Sequence, residues 1–343
     1  MSNILVTGDR GFIAGYLVNK LLKEGHNVFG VDNDWKYGPQ IKDFDNHQKY
    51  HHFLGDAKNV ELLKYLLETY EIDYVVAGAA WIGGISFFHE LAYDLLAENE
   101  RITAATFDAC IWAHKHTTSL KKIIVLSSSM VYESTDEYPT RELAIKTSPP
   151  PRSTYGFQKL AVEYFCLGAW EQYGLPYTIV RPFNCVGIGE KRALLDKEVK
   201  SGNIKLAFSH VVPDIIQKIY KGQDPLIILG SGNQIRHYTA GQDLADGIYK
   251  CIFNEKARND HFNISTPVST TVLELAESIW KKMKPGIAFR YETSAPFAYD
   301  VQKRVPNVQK AKYLLGFETK IMLNDILDEV IPWVCKMCDE GKI

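Results

Sequence analysis

Ile4-Leu5-Val6-Thr7-Gly8-Asp9-Arg10-Gly11-Phe12-Ile13-Ala14-Gly15, followed by Leu17, Val18, Leu21 and Leu22 at helical spacing, decides the fold. The apolar run reads as a short buried strand, and the spaced leucines and valine read as a helix. The turn between them has the composition of a phosphate cradle. Gly8 allows the tight turn, Gly11 lets the backbone approach a pyrophosphate, and Ala14 or Gly15 permits close packing of helix on strand, while the helix N-terminus faces the negative charge. The spacing is G-x-x-G-x-x-A-G, and a tight loop alone would look similar. The next element decides between the two: Asn27-Val28-Phe29-Gly30-Val31 is a second strand, ending at Asp32. A carboxylate there suits the ribose hydroxyls of NAD and repels the 2′-phosphate of NADP. Gly8, Gly11, Phe12, Ile13 and Asp32 are the expected first contacts of that cofactor.

Composition narrows the rest. At 343 residues the chain can bury a large core in one or two domains. A formal net charge of -2 gives no basic field for nucleic acid or a membrane surface. The apolar runs are short and broken by charge, so no membrane span is expected. The first strand begins by Ile4, so no signal peptide is expected. Six cysteines scattered over this length do not form a disulfide scaffold, and the expected compartment is a reducing cytoplasm. Cys335-Lys336-Met337-Cys338 lacks a second pair or a nearby histidine, so no metal site is expected.

Further along, residues 34–52 are polar and aromatic with weak periodicity and read as a loop. Phe53-Leu54-Gly55-Asp56 reads as a strand end, with Asp56 placed to accept from an adenine amino group. Asp73 to Ala80 is a buried parallel strand whose small residues, Ala79 and Ala80, let a cofactor lie on bare backbone. Trp81-Ile82-Gly83-Gly84-Ile85-Ser86-Phe87-Phe88-His89 follows as a loop closing over the nicotinamide or a sugar, with Gly84 and His89 as candidate substrate contacts, the alternative for His89 being a loop histidine bonded to backbone. Residues 91–116 carry a long helical pattern, and Asn99 within it reaches toward the bend where strand and active-site helix meet.

Ile123 to Leu126 delivers Ser127-Ser128-Ser129 to the carboxyl edge of the sheet, where open α/β sheets bind ligands. Tyr155-Gly156-Phe157-Gln158-Lys159 opens the helix expected over 153–173, which places tyrosine and lysine on one face. A phenol has a reference pKa of about 10, and a neighbouring ammonium favours its phenolate, so Tyr155 is expected to exchange a proton near neutrality. Ser128, with Ser129 as its alternate, polarises a substrate oxygen. The layout oxidises an alcohol or reduces a ketone beside a bound cofactor.

After Arg181-Pro182-Phe183-Asn184 the alternation of strand and helix breaks down, and the charged 188–209 segment is expected to carry substrate contacts. His210-Val211-Val212-Pro213 leads into a helix. Arg236 is placed to grip a diphosphate, because a guanidinium fork matches phosphate oxygens. Tyr313 to Phe317 and a helix from Leu323 to about Trp333 are expected to pack as a small α-rich lobe.

These motifs together resemble the extended short-chain dehydrogenase/reductase family, in its NAD-dependent nucleotide-sugar epimerase/dehydratase branch. The residues that carry the resemblance are Thr7-Gly8, Gly11, Ala14-Gly15, Asp32, Gly55-Asp56, Ala79-Ala80, Asn99, Ser127 to Tyr132, Tyr155 with Lys159, Arg181 to Asn184 with Gly187, and Gln234, Arg236 and Asp243. The resemblance implies an α/β fold: a Rossmann-type doubly wound parallel sheet over 1–182, joined by part of 235–265. A smaller C-terminal α/β lobe over 183–343 would bind a nucleoside diphosphate sugar. It implies NAD that stays bound and is recycled, with Tyr155 as base and Lys159 on the nicotinamide ribose. Asn184, Val212, Arg236 and Arg304 are implied on the substrate side. A homodimer through helices 91–116 and 153–173 is implied as well.

Departures from the family pattern bear on the reaction. The 4,6-dehydratases place an Asp-Glu pair where this chain has Ser129-Met130, and the decarboxylases keep a glutamate at the second position. The Gly83-Gly84-Ile85 loop resembles that of GDP-mannose 3,5-epimerases, which carry a cysteine where Met130 stands. His237 replaces a usual aspartate, and a usual arginine is absent from Pro296-Phe297-Ala298-Tyr299-Asp300, leaving Lys303 or Arg304 to take its place. Inversion at C4 through a transient 4-keto sugar needs only the groups present, and is the preferred expectation. Dehydration, decarboxylation, 3,5-epimerisation or net 4-dehydrogenation on the same scaffold is the alternative, and a non-catalytic NAD-binding regulator is a third.

Overall fold

The structure is a computed structural model that describes residues 1–83, 90–191, 199–201, 204–206, 210–296 and 301–342. In chain order the first half contains β1 (Asn3–Thr7), α1 (Phe12–Lys23), β2 (Asn27–Asp32), β3 (Tyr50–Leu54), α2 (Val60–Thr69), β4 (Tyr74–Ala77), α3 (Ala92–His116), β5 (Lys122–Leu126), α4 (Thr154–Tyr173) and β6 (Tyr177–Pro182). The second half contains β7 (Cys185–Val186), β8 (Val199–Ser201), β9 (Ile204–Leu206), α5 (Val211–Tyr220), β10 (Leu226–Leu229), β11 (Ile235–Arg236), β12 (Thr239–Ala240), α6 (Gly241–Phe253) and β13 (Asp260–Ile264). It ends with β14 (Thr270–Thr271), α7 (Val272–Met283), β15 (Tyr291–Ser294), α8 (Gln309–Leu315) and α9 (Leu323–Asp339).

Seven strands form one sheet in the order β13-β6-β5-β4-β1-β2-β3, and every neighbouring pair is parallel. The strands are near-continuous apolar runs because both faces are covered. Alternate residues divide between them. Ile4, Val6, Val28, Val76 and Ile124 face α1 and α6, whereas Leu5, Phe29, Val31, Val75 and Ile123 face α2, α3 and α4. The order reverses between β1 and β4, and this opens a crevice at their carboxyl ends.

The sheet also explains a glycine in mid-strand. A Cβ on Gly30 of β2 would lie 2.1 Å from Oδ2 of Asp9. Asp9 is fully buried below the first turn, where it accepts from the Tyr50 hydroxyl and lies 3.1 Å from Nδ1 of His52. Any side chain at position 30 would displace that carboxylate.

A second apolar cluster lies beyond the sheet, where α5, α7 and α9 enclose Ile216, Ile228, Ile279, Trp280 and Val330. One expectation needs correction here. Ala311, Leu315 and Phe317, on and just after α8, pack with Ile248 and Phe262 against the sheet rather than with α9 in the small lobe. An amphipathic helix shows which face is apolar but not which partner covers it. Among the described residues, no helix is long and apolar enough to cross a membrane.

Candidate active site

A cavity of about 380 Å³ opens at the carboxyl ends of β1, β4 and β5. Gly8, Gly11, Phe12, Ile13, Asp32, Asp56, Ala79 and Ala80 line one part of it, as the sequence leads one to expect. Gly8 has φ +73°, and a Cβ there would stand 2.8 Å from the backbone of Ala79. A Cβ on Gly11 would stand 2.9 Å from the Gly8 carbonyl. The turn is therefore bare backbone pressed against backbone.

Gly11 caps α1 without a side-chain bond, and the first turn holds no acid, so the leading N–H groups and the positive end of the dipole are left for an anion. Asp32 accepts from the N–H groups of Arg10 and Asp34, at 3.2 and 2.8 Å, which fixes its carboxylate on the wall. Burial raises its pKa above the usual value, and the two backbone bonds oppose that rise. This donor set fits a dinucleotide: amides for the diphosphate and a fixed acceptor for a ribose.

Ser127, Ser128, Ser129, Met130, Tyr155 and Lys159 line the adjoining wall. The α4 helix starts at a Ser153 cap whose Oγ accepts from Gly156 N–H at 3.0 Å, so Tyr155 sits in its first turn with Lys159 one turn on. Ser128 stands close enough to the Tyr155 hydroxyl to favour its ionised form, and the tyrosine ring packs against Leu95 and Met130. Lys159 donates from Nζ to the Leu126 carbonyl at the end of β5, at 2.9 Å.

The structure brings the serine, tyrosine and lysine together, but it alters the electrostatics expected from sequence. Burial raises the Tyr155 pKa, with opposing contributions from Ser128 and Arg304. The protein alone therefore keeps the phenol protonated at neutrality. Burial likewise holds Lys159 down to about 8, with Glu100 and Glu163 opposing.

The lysine shift has a thermodynamic consequence. Unfolded, Lys159 keeps its proton to its ordinary value of 10.5; folded, it loses it near 8, so between these values unfolding takes up a proton and stability rises with pH. Below pH 8 the charge is buried at a cost. Lys159→Met, stripped of NAD, is therefore expected to melt above the wild type below pH 8, with the margin closing toward pH 10.5. Melting curves over that range check it, and a margin independent of pH would refute it.

On the substrate side, Asn184, Val212 and Arg304 line the cavity. Asn184 holds φ 37° between β6 and β7, and its Nδ2 is buried without a hydrogen-bond partner. Two expected residues are placed elsewhere. Asn99 is buried in α3 and holds both backbone groups of Trp81, accepting from its N–H at 2.7 Å and donating to its carbonyl at 2.9 Å. It does not line the cavity and supports the wall instead. Arg236 is also absent from the lining, and donates from Nη1 to the Ile235 carbonyl at 2.9 Å. Gly84 and His89 lie outside the described residues.

Sequence reading missed Trp35, Glu190, His210 and Tyr238, all of which line the cavity. His210 caps the entry to α5 and pairs with the buried Glu190. His210 opens the His210–Pro213 turn and Tyr238 follows the Gln234–Arg236 motif, Trp35 comes three residues after the strand-end Asp32, and no sequence signal singles out Glu190.

The NAD dependent epimerase/dehydratase family matches residues 4–265. A UDP-glucose 4-epimerase of Halalkalibacterium halodurans is 27% identical over 329 residues, 92% of this chain and 90% of that protein. A UDP-N-acetyl-alpha-D-glucosaminuronate decarboxylase of Bacillus cytotoxicus is 26% identical over 342 residues, 96% of each. The solved UDP-glucose 4-epimerase of Thermotoga maritima, with UDP-glucose, superposes with a TM-score of 0.78 at 25% identity, covering 98% of this chain and 99% of that one. With NAD as its cofactor, the chain belongs to the NAD dependent epimerase/dehydratase family.

Proposed function

We propose that the protein inverts a nucleoside diphosphate sugar at C4 through a transient 4-keto sugar. The observation that carries this reading is the Tyr155–Ser128 pair on the cavity wall with Met130 beside it. Ser128 orients the C4 hydroxyl, Tyr155 takes its proton as the ketone forms, and Tyr155 returns a proton after the sugar turns over. Bound NAD supplies a reversible hydride acceptor for this step. Met130 can neither give nor take a proton, and this weighs against loss of water or carbon dioxide, which asks for an acid or base at that point. Asn184, Arg304 and the N-terminus of α5 at Val211 and Val212 offer cationic or N–H partners to a diphosphate on the same wall.

The same reading includes a homodimer through α3 and α4, supported by Tyr164, Leu167 and Trp170, which are 66%, 40% and 40% exposed on one helix. The test is incubation of the purified protein with UDP-, GDP-, CDP- and dTDP-sugars, followed by product NMR, with sedimentation run on the same sample. The expected result is a C4 epimer of unchanged mass, formed by a particle of twice the chain mass. A product lacking water or carbon dioxide would overturn the C4 reading, and a monomer would overturn the dimer.

A further inference from the structure

In the sheet β1 lies between β2 and β4. Neighbouring strands are about 4.8 Å apart, so the ends of β2 and β4 stand about 10 Å apart on either side of the first glycine turn. Trp35 comes shortly after the end of β2 and Trp81 shortly after the end of β4. Their rings stack with centroids 4.1 Å apart and planes at 15°. A contact between chain segments leaving the two strands that flank β1 has to pass in front of the end of β1. Both tryptophans line the same cavity as Gly8 and Gly11, which brings the bridge to the mouth of the phosphate cradle.

Each side of the bridge is anchored. Asn99 holds the Trp81 backbone through its two bonds, and the Trp35 N–H donates to Asn33 Oδ1 at 3.1 Å. The segment that carries Trp35 is tied down further along, where Lys191 Nζ donates to Gln40 Oε1 at 2.8 Å and Arg10 Nη1 to Asp45 Oδ1 at 2.6 Å. On their inner side the two rings belong to the apolar cluster that includes Met130 and Tyr155.

We propose that the Trp35–Trp81 stack is a clasp that closes a ring of protein over the diphosphate of NAD, and that it parts to let the cofactor enter or leave. The pair holds the cofactor and takes no part in proton transfer. This assignment stands whichever sugar reaction the site performs.

The test is release of labelled NAD from the holoenzyme after dilution into excess unlabelled NAD. Trp35→Ala and Trp35→Leu are expected to release it about tenfold faster, as loss of an aromatic pair implies, and Trp35→Phe, which keeps a ring face, within a factor of about three of the wild type. NAD binding is also expected to shift the indole emission of the wild type and to shift it less in Trp35→Leu. The leucine variant keeps apolar bulk and carries the test should the alanine variant fail to fold. Release from the leucine variant at the wild-type rate, or equal acceleration in the phenylalanine variant, would overturn the clasp.

Discussion

Tyr155→Phe is expected to lower turnover by about a thousandfold or more while the purified protein keeps its NAD. A positioned acid–base group contributes roughly 10²–10⁴ in rate, and in the proposed reaction one hydroxyl would serve both directions of proton transfer. The substitution removes only that oxygen. The ring contacts with Leu95 and Met130 stay. The cofactor's expected contacts at Gly8, Gly11, Asp32 and Ala79 lie on other elements, so a large fall in kcat with retained NAD separates chemistry from binding.

The pH profile sharpens the test. Burial holds the phenol above its ordinary value, so its deprotonated fraction, and with it wild-type turnover, climbs as pH rises from 6 to 8. The residual rate of the variant is expected to be flat over that range. Near-normal turnover in Tyr155→Phe would remove this residue from the mechanism.

The parts of this molecule legible from sequence are those fixed by short-range periodicity. A tyrosine and a lysine four apart had to share a helix face, and an apolar run ending in three serines had to deliver them to a sheet edge. Burial was not legible, because Tyr155 is enclosed by Leu95 and Met130 from other elements, with Trp35 and Trp81 in the same cluster. The sign of its pKa shift followed from that enclosure rather than from the nearby amine. Trp35 sits in a stretch without periodicity, and only the strand order shows that it can reach Trp81. β13 forms one edge of the sheet. Its place beside β6 depends on α6 packing against α1, a contact between distant parts of the chain. Arg181 was readable as the start of the Arg181–Asn184 motif, and its partner was not.

That partner sets the second large effect. Arg181→Met is expected to destabilise the protein by about 3–5 kcal/mol, the usual result of leaving one member of a buried ion pair alone. Arg181 is 1% exposed and donates to both carboxylate oxygens of Glu163, from Nε at 2.8 Å and from Nη2 at 2.6 Å. It also donates to the Glu142 carbonyl at 3.0 Å and to the Tyr132 hydroxyl. Without it, Glu163 keeps only the Ser127 hydroxyl, at 2.5 Å, among these partners. Glu163 lies one helical turn beyond Lys159, and Ser127 adjoins Ser128, so the pair helps to hold these two cavity residues in place. A fall in Tm of roughly 4–7 °C is expected for a chain of this size. Arg181→Met combined with Glu163→Leu is expected to recover most of it, because two neutral side chains leave no stranded charge. If the double variant melts no higher than the single one, the loss comes from packing around the guanidinium and not from the carboxylate it neutralises.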